Sequence, residues 1–206
     1  MKRFYQWSRD LHLYAGLFIS PFILLFAASV VFLNHGRLPP DLPSTVRTFQ
    51  DVLVPRGLES ASGREAVNLA REILPQLGIN GEIGFLRPVR ADRHLLFPVS
   101  KPGAEMMVDI DLAARAASLS TRRTGTWEAL AYLHKSPGPH LVAIRGNWIW
   151  TRLWRWFADA TTYLTLFISL SGIYLWYAIR AERAIGAALL AAGALSFFGL
   201  IYAVIR

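Results

Sequence analysis

Five histidines are the side chains of this 206-residue chain that are best suited to chemistry. A neutral imidazole carries a free nitrogen lone pair and is the commonest metal ligand in proteins. Four of them lie at or near the ends of long apolar segments: His12, His35, His134 and His140. The chain has no cysteine, which excludes disulfides, iron–sulfur clusters and thiol catalysis. No paired carboxylates, Ser-His-Asp order or glycine-rich phosphate loop stands out, so ligation by histidine is the chemistry to weigh.

Three apolar segments would position these histidines, each long enough to cross a bilayer, which takes a helix of about 20 residues. They run from about Leu11 to Asn34, from Phe157 to Ile179 and from Ala184 to Ile205. Backbone groups in lipid must be hydrogen-bonded internally, so each segment is predicted to be a helix, with Pro21 as a kink in the first. The second and third are predicted to form a tight hairpin around the basic linker Arg180–Arg183. The chain is therefore expected to be an integral membrane protein.

Basic residues near the helix ends predict the orientation in the membrane. They precede the first helix and occupy the hairpin loop, two places on the same side because two spans separate them: Lys2, Arg3, Arg9, Arg180 and Arg183. We expect a cytoplasmic N-terminus, periplasmic residues 36–155, and helices in a bacterial inner membrane. Such flanks also account for the net charge of +8. No basic run is interleaved with aromatics in a known nucleic-acid-binding pattern, so nucleic acid is not an expected partner.

The segment between the first two helices has the pattern of a small extramembrane α+β domain. A proline-rich linker, Leu38–Pro43, is followed by the helical apolar spacing of Gly63–Leu77. Four short alternating runs come next and predict strands: Glu82–Arg87, His94–Val99, Met106–Ile110 and Ala116–Ser120. We expect the helix to cover one face of the sheet.

Two more segments lead from this domain to the second membrane helix. Gly125–His134 is predicted to be a helix, and the aromatic run Trp148–Trp156 is typical of the lipid headgroup layer. The chain thus divides into three parts: 1–35 with the first helix, 36–147 with the extramembrane domain, and 148–206 with the aromatic lead-in and the hairpin.

Several stretches, taken in order, resemble the PepSY-associated transmembrane family. Trp7–Leu17 (WSRDLHLYAGL) looks like that family's Trp/Arg…Leu-His…Gly-Leu start of the first helix, and Leu33–His35 is similar to its end. Leu133–His134 ahead of the second helix and Ser171–Trp176 inside it continue the pattern. Met106–Asp111, within a helix-then-strands module, looks like part of a PepSY domain. The resemblance spans about 180 residues and implies a membrane protein with a PepSY-like α+β domain.

The resemblance also implies a cofactor and a function. Members of the family include integral siderophore reductases that carry b-type haem on helix histidines. We therefore expect haem b, and electron transfer to an outer-face acceptor such as a ferric chelate or a partner redox protein. His35 with His134 is the expected axial pair, with His140 as the substitute. The chain departs from the larger reductases in having three predicted spans, not four or more, and one PepSY-like unit.

His12 has no histidine partner on its own side of the predicted membrane. It lies 23 residues before His35 on the same predicted helix, about 35 Å along the axis, so the two cannot ligate one haem. A haem at His12 would need a non-histidine ligand, a partner subunit, a second copy or five-coordination, and electrons would come from a quinone or a redox partner. The histidines also have a plainer interpretation as ordinary residues of helix ends and loops. His94 is expected to be a surface or packing residue.

Two other hypotheses about function stay open. The chain could be a non-redox envelope protein whose PepSY-like domain binds a peptide or protein partner. It could also be an accessory subunit, or one copy of an oligomer, that packs through the small residues of the third helix. These residues are Gly186, Ala187, Ala188, Ala191, Ala192, Gly193 and Ala194. Hydroxyls of the second helix, Ser171 among them, are expected to bond their own backbone or a neighbouring helix, and Asp159 is expected to pair with Arg155.

Overall fold

The computed structural model describes residues 2–35, 43–87, 93–136, 143–179 and 183–205. Within these ranges the elements are α1 Lys2–His35, β1 Thr45–Phe49, α2 Gly63–Arg71, β2 Glu82–Ile83, β3 His94–Lys101, β4 Ala104–Asp111, β5 Ala116–Arg123, α3 Thr126–Lys135, α4 Ile149–Ile179 and α5 Arg183–Ile205. The chain divides into two units, one of Met1–Ile23 with Ala160–Arg206, the other of Leu24–Asp159.

The three apolar segments form the long helices α1, α4 and α5. Each is long and apolar enough to cross a membrane, which confirms the predicted helices and suggests a membrane protein. The described residues of α5 are exposed, apart from Gly186, which is partly covered. Because α4 begins at Ile149, the aromatic run forms about its first two turns and continues without a break into the predicted span.

The first unit packs the N-terminal half of α1 against α4, and α4 against α5. Ile19 of α1 is buried, and Gly16 faces the Ile168 side chain. Between α4 and α5, the backbone of Gly186 abuts the indole of Trp176 so closely that no side chain would fit there. Arg183 donates to the carbonyl oxygen of Tyr177 at 2.9 Å. The rest of the predicted linker, residues 180–182, lies outside the described residues.

The second unit contains an antiparallel sheet in the order β1-β5-β4-β3-β2. β3, β4 and β5 confirm three of the four predicted strands, whereas the first, expected over Glu82–Arg87, is shorter because β2 covers only Glu82–Ile83. The predicted helix over Gly63–Leu77 is wrong in length, because α2 ends at Arg71. Pro75 has no N–H to donate to the Arg71 carbonyl, and its ring would clash with that carbonyl in a continued helix. The chain makes single turns as far as Gly78, where φ is +64°.

β1 is a strand that the sequence did not predict. It pairs along its whole length with β5, from Thr45 opposite Thr121 to Phe49 opposite Ala117. Most of its residues are exposed because it lies at the edge of the sheet. An edge strand with little burial carries only a weak alternation of apolar and polar residues, so the period-two signal is missing.

The core of the second unit lies between α2 and one face of the sheet. Buried side chains of α2 and its following turns meet alternate residues of three strands. The principal members are Val67, Ala70, Ile73, Leu77, Phe97, Val108 and Leu119. Alternation along each strand puts every second side chain on this face, as the sequence predicted. The opposite face carries polar residues such as His94, Asp109 and Ser118.

Candidate functional site

The C-terminal end of α3 places His134 within the second unit. The helix starts at Gly125, whose N–H is capped by the Glu128 carboxylate at 2.9 Å. Two contacts then hold the helix in place. Trp127 stacks on Phe32 of α1 with ring centroids 5.5 Å apart, and the Trp154 indole N–H donates to the Leu133 carbonyl at 2.9 Å. His134, the next residue, is therefore held firmly between α1 and α4.

His134 makes one hydrogen bond and one ring contact. Its Nδ1 lies 2.9 Å from Oγ of Ser29, a serine of α1 that is only 1% exposed. The ring meets that of Phe26 edge-on, with centroids 5.5 Å apart, and Phe26 in turn contacts Trp154 at 6.0 Å. The imidazole is half-buried in surroundings that are mostly aromatic.

His12 has the same kind of contact within the first unit. Its Nδ1 lies 2.8 Å from Oγ of Ser171, a residue of α4 that is 7% exposed. The next residue is Gly172, which also lies beside the imidazole: a Cβ there would be in ordinary contact with Cε1 of His12, at 3.5 Å. This histidine is also half-buried. Ser171 was expected to bond its own backbone or a neighbouring helix and does both, but its partner His12 was not predicted, and Ser29 was missed altogether.

The second ring nitrogen, Nε2, determines whether His12 and His134 can bind a metal. Among the residues that the structure describes, Nε2 of His134 and Nε2 of His12 have no hydrogen-bond partner. A neutral imidazole that bonds through Nδ1–H keeps its lone pair on Nε2. Metal-ligating histidines in proteins have this arrangement, with the other ring N–H donated to an oxygen. Each of these rings can therefore offer Nε2 to a metal or a haem iron.

His35 and His134, the expected axial pair, lie on different helices. His35 is the exposed last residue of α1. It lies six residues beyond Ser29, which is about 9 Å of rise and about 240° of rotation on an α-helix. No hydrogen bond or ring contact joins His35 and His134 among the described residues, so their pairing stays a prediction. His140 lies outside the described residues.

His94 lies on the polar face of the sheet, as expected of a surface residue. Its Nδ1 is 2.8 Å from Oδ1 of Asp109, and its Nε2 is 3.9 Å from Oδ2 of Asp111. Hydrogen bonds from the backbone N–H groups of Ala114 and Ala113 hold the pKa of Asp111 below its usual value. No group of three or more His, Asp or Glu side chains arranged for a metal ion occurs within the described ranges.

A shallow apolar groove lies on the part of α1 that precedes His12. Its volume is about 470 Å³, and it is lined by Arg3, Phe4, Trp7, Ser8, Leu11 and Phe167. The lining is almost entirely aromatic and aliphatic, with one guanidinium. A planar apolar molecule that carries carboxylates has the chemistry to match it.

The expected ion pair between Arg155 and Asp159 is not formed in the described part of α4. The guanidinium of Arg155 lies instead close to Gly146, at the N-terminal side of the helix. Long side chains on a helix point toward its N-terminus, so Arg155 extends away from a residue four positions later. Asp159 is exposed.

Comparison of the chain with protein-family models, with curated proteins and with solved structures gave no match.

Proposed function

We propose that this chain is a small PepSY-associated transmembrane protein that binds b-type haem and transfers electrons. In this proposal His134 holds one haem near the outer membrane face, and His12 holds another near the inner face. The acceptor is an outer-face electron acceptor such as a ferric chelate or a partner redox protein. The donor is a quinone or a membrane partner.

One observation carries the proposal. Two histidines from different helices, in different units, each bond a buried serine through Nδ1 and keep Nε2 without a partner among the described residues. A histidine that ligates a metal usually donates its other ring N–H to an oxygen in this way. A pair with the same arrangement favours ligation over two coincidences.

The surroundings of both rings suit a haem. Phe26 and Trp154 supply apolar faces beside His134, and the groove on the part of α1 that precedes His12 combines aromatic rings with Arg3. When bound, haem b supplies an iron that accepts and releases one electron. The chain's own residues orient the imidazoles, exclude water from them and, through Arg3, offer a positive charge to a carboxylate.

The proposal has two forms, which differ in whether a second histidine of the chain would bind the iron of the haem held by His134. If His35 or His140 reaches the iron, the haem has two imidazole ligands and is low-spin. If neither does, the haem has one imidazole ligand and is high-spin. The electron paramagnetic resonance spectrum of the oxidised protein separates the two forms, and His35→Ala and His140→Ala identify the second ligand.

The spectrum of the protein purified in detergent from haem-replete cells tests the proposal as a whole. We expect a Soret band and, after dithionite, sharpened α and β bands. A colourless preparation that is folded and monodisperse would exclude haem binding. His134→Ala and His12→Ala should each remove part of the absorbance, whereas His94→Ala should leave it intact because His94 bonds acidic side chains of the sheet.

A groove in the second unit supports peptide binding as the second candidate function. It has a volume of about 450 Å³ and lies between the turn before α2, the β2 edge of the sheet and the segment that leads to α4. Apolar residues such as Leu58, Phe85 and Leu95 line it, with Glu59 and Arg87 among the lining residues. Specific retention of one peptide by a colourless protein, lost in Phe85→Asp, would favour this function over electron transfer.

A further inference from the structure

We infer that Ser29 and Ser171 are positioning residues that hold His134 and His12 with the proton on Nδ1, so that Nε2 is the nitrogen offered to the iron. This inference rests on the proposed function for its purpose, but the protonation state that it assigns can be measured without haem.

The hydroxyl of Ser29 has a single proton to donate. Oγ of Ser29 lies 2.7 Å from the carbonyl oxygen of Phe26, one turn back on α1. A carbonyl oxygen can only accept, so the hydroxyl proton is donated to Phe26. Oγ must then accept at its other contact, 2.9 Å from Nδ1 of His134. The proton in that bond belongs to the imidazole, and the neutral ring carries it on Nδ1.

The same argument applies to Ser171 in the first unit. Its Oγ donates to the carbonyl oxygen of Ile168 at 3.2 Å, again one turn back on its own helix. The contact of 2.8 Å with His12 is therefore one in which the ring donates through Nδ1–H. Two serines in different helices thus impose the same tautomer on two histidines.

A hydrogen bond from a serine hydroxyl to a carbonyl of its own helix does not by itself set Ser29 and Ser171 apart from other serines. Ser20 donates to the Leu17 carbonyl at 3.0 Å, and Ser169 donates to the Thr165 carbonyl at 2.9 Å. These two serines are exposed and contact no histidine among the described residues, whereas Ser29 and Ser171 are buried. Ser20 and Ser169 are therefore matched controls on the same two helices, since their removal deletes the backbone bond without touching an imidazole.

Fixing the tautomer has two consequences for a ligand histidine. Free histidine in water favours the proton on Nε2, which blocks that nitrogen as a ligand, so a serine that fixes Nδ1–H prepares the ring before iron arrives. The Nδ1–H···O bond also makes Nε2 more basic, which stabilises ferric iron. Loss of such an outer-shell partner typically weakens metal binding by about 10-fold to 100-fold.

Nuclear magnetic resonance of the full-length, haem-free protein in detergent, with ¹⁵N in the histidine rings, tests the inference at a pH where the imidazoles are neutral. We expect Nδ1 of His12 and His134 to carry the proton and Nε2 the lone pair. Ser29→Ala should shift His134 alone toward the Nε2–H form, and Ser29→Thr should restore it. Ser171→Ala should act on His12 alone, and Ser20→Ala and Ser169→Ala on neither.

The haem-loaded protein gives an independent readout if the haem-free form does not fold. Ser29→Ala should raise the midpoint potential of the haem on His134 and weaken its binding about 10-fold or more, whereas Ser20→Ala should change neither. A proton on Nε2 in the wild type, or unchanged tautomers and potentials in the alanine variants, would overturn the positioning role. Nδ1–H tautomers in a protein that never binds haem would instead refute the proposed function and leave the assigned protonation standing.

Discussion

The side chain of Asn147 hydrogen-bonds both backbone groups of Ile83. Its Oδ1 accepts from the Ile83 N–H at 3.0 Å, and its Nδ2 donates to the Ile83 carbonyl at 2.7 Å. Asn147 thus makes with Ile83, at the edge of β2, the two hydrogen bonds that a residue of a neighbouring strand would make. Beside it, the carboxylate of Glu82 accepts from three successive N–H groups, those of Gly146, Asn147 and Trp148. Together these bonds tie the start of α4 to the sheet.

Replacement of Asn147 by alanine should therefore destabilise the second unit. It would leave the Ile83 N–H and carbonyl without partners in a buried place, at about 1–3 kcal/mol for each unsatisfied group. Asn80→Ala is the control, because Asn80 bonds only the exposed Lys101 among the described residues. Chemical unfolding in detergent measures the loss, and faster hydrogen exchange at Ile83 locates it. Equal stability of the two variants would refute the role given to Asn147.

The indole of Trp176 in α4 leaves no room for a side chain at position 186 of α5, which is a glycine. A methyl group at position 186 would overlap the indole ring, and such overpacking costs about 1–3 kcal/mol. The control is Gly193 in the same helix, where nothing lies within 4 Å of an added Cβ. Gly193→Ala should be neutral or stabilising by up to about 1 kcal/mol, because alanine is the better helix former. Thermal unfolding in detergent compares the variants, and a Gly186→Ala protein as stable as Gly193→Ala would contradict this packing.

Asp111 should make the stability of the second unit fall at acid pH. Its pKa is lowered in the folded protein, chiefly by the N–H groups of Ala114 and Ala113, so its stabilising effect is present above the unfolded pKa of about 4. That effect is lost as the pH falls through the lower folded pKa. The stability advantage of wild type over Asp111→Asn should therefore shrink between about pH 5 and pH 2.

The control for Asp111 is Asp51→Asn, because the Asp51 carboxylate accepts no hydrogen bond from the described residues. Its unfolding curves should follow those of the wild type more closely over the same range of pH. An advantage over Asp111→Asn that stays constant, or that grows as the pH falls, would rule out the assigned role of Asp111.

The absence of cysteine makes the proposed orientation easy to test. Single cysteines at two exposed positions, Ser60→Cys in the second unit and Gln6→Cys near the N-terminus, report on opposite sides. With residues 36–155 outside, a membrane-impermeant maleimide should label Ser60→Cys in intact spheroplasts and Gln6→Cys only after permeabilisation. The reverse pattern would invert the topology, and labelling of both would deny that α1 crosses the membrane.

Much of the fold can be predicted from hydropathy and periodicity. The helices α1, α4 and α5 follow from runs of apolar residues that are longer than an ordinary strand or core helix. The strands β3, β4 and β5 follow from alternation, because one face of each is buried against α2. The departures at α2 and β1 have local causes. Pro75 ends α2 at Arg71, and β1 is too exposed to show a pattern.

The candidate site could be predicted only in part. Residue type and position near helix ends singled out His12 and His134, but their serine partners are 159 and 105 residues away in the chain. No local pattern encodes such contacts, because packing of α1 against α3 and α4 creates them. The position of His35 at the end of the first helix suggested its pairing with His134, and the family resemblance favoured Leu133–His134 over His140. Ser29, six residues before His35, lies at Nδ1 of His134, and the pairing with His35 stays a prediction.

Haem content per chain, measured as the pyridine haemochrome of detergent-purified protein, tests the central claim most directly. The account predicts haem in the wild type and in His94→Ala, less in His12→Ala and in His134→Ala, and none in the double variant that lacks both His12 and His134. A double variant that is folded and holds as much haem as the wild type would contradict it.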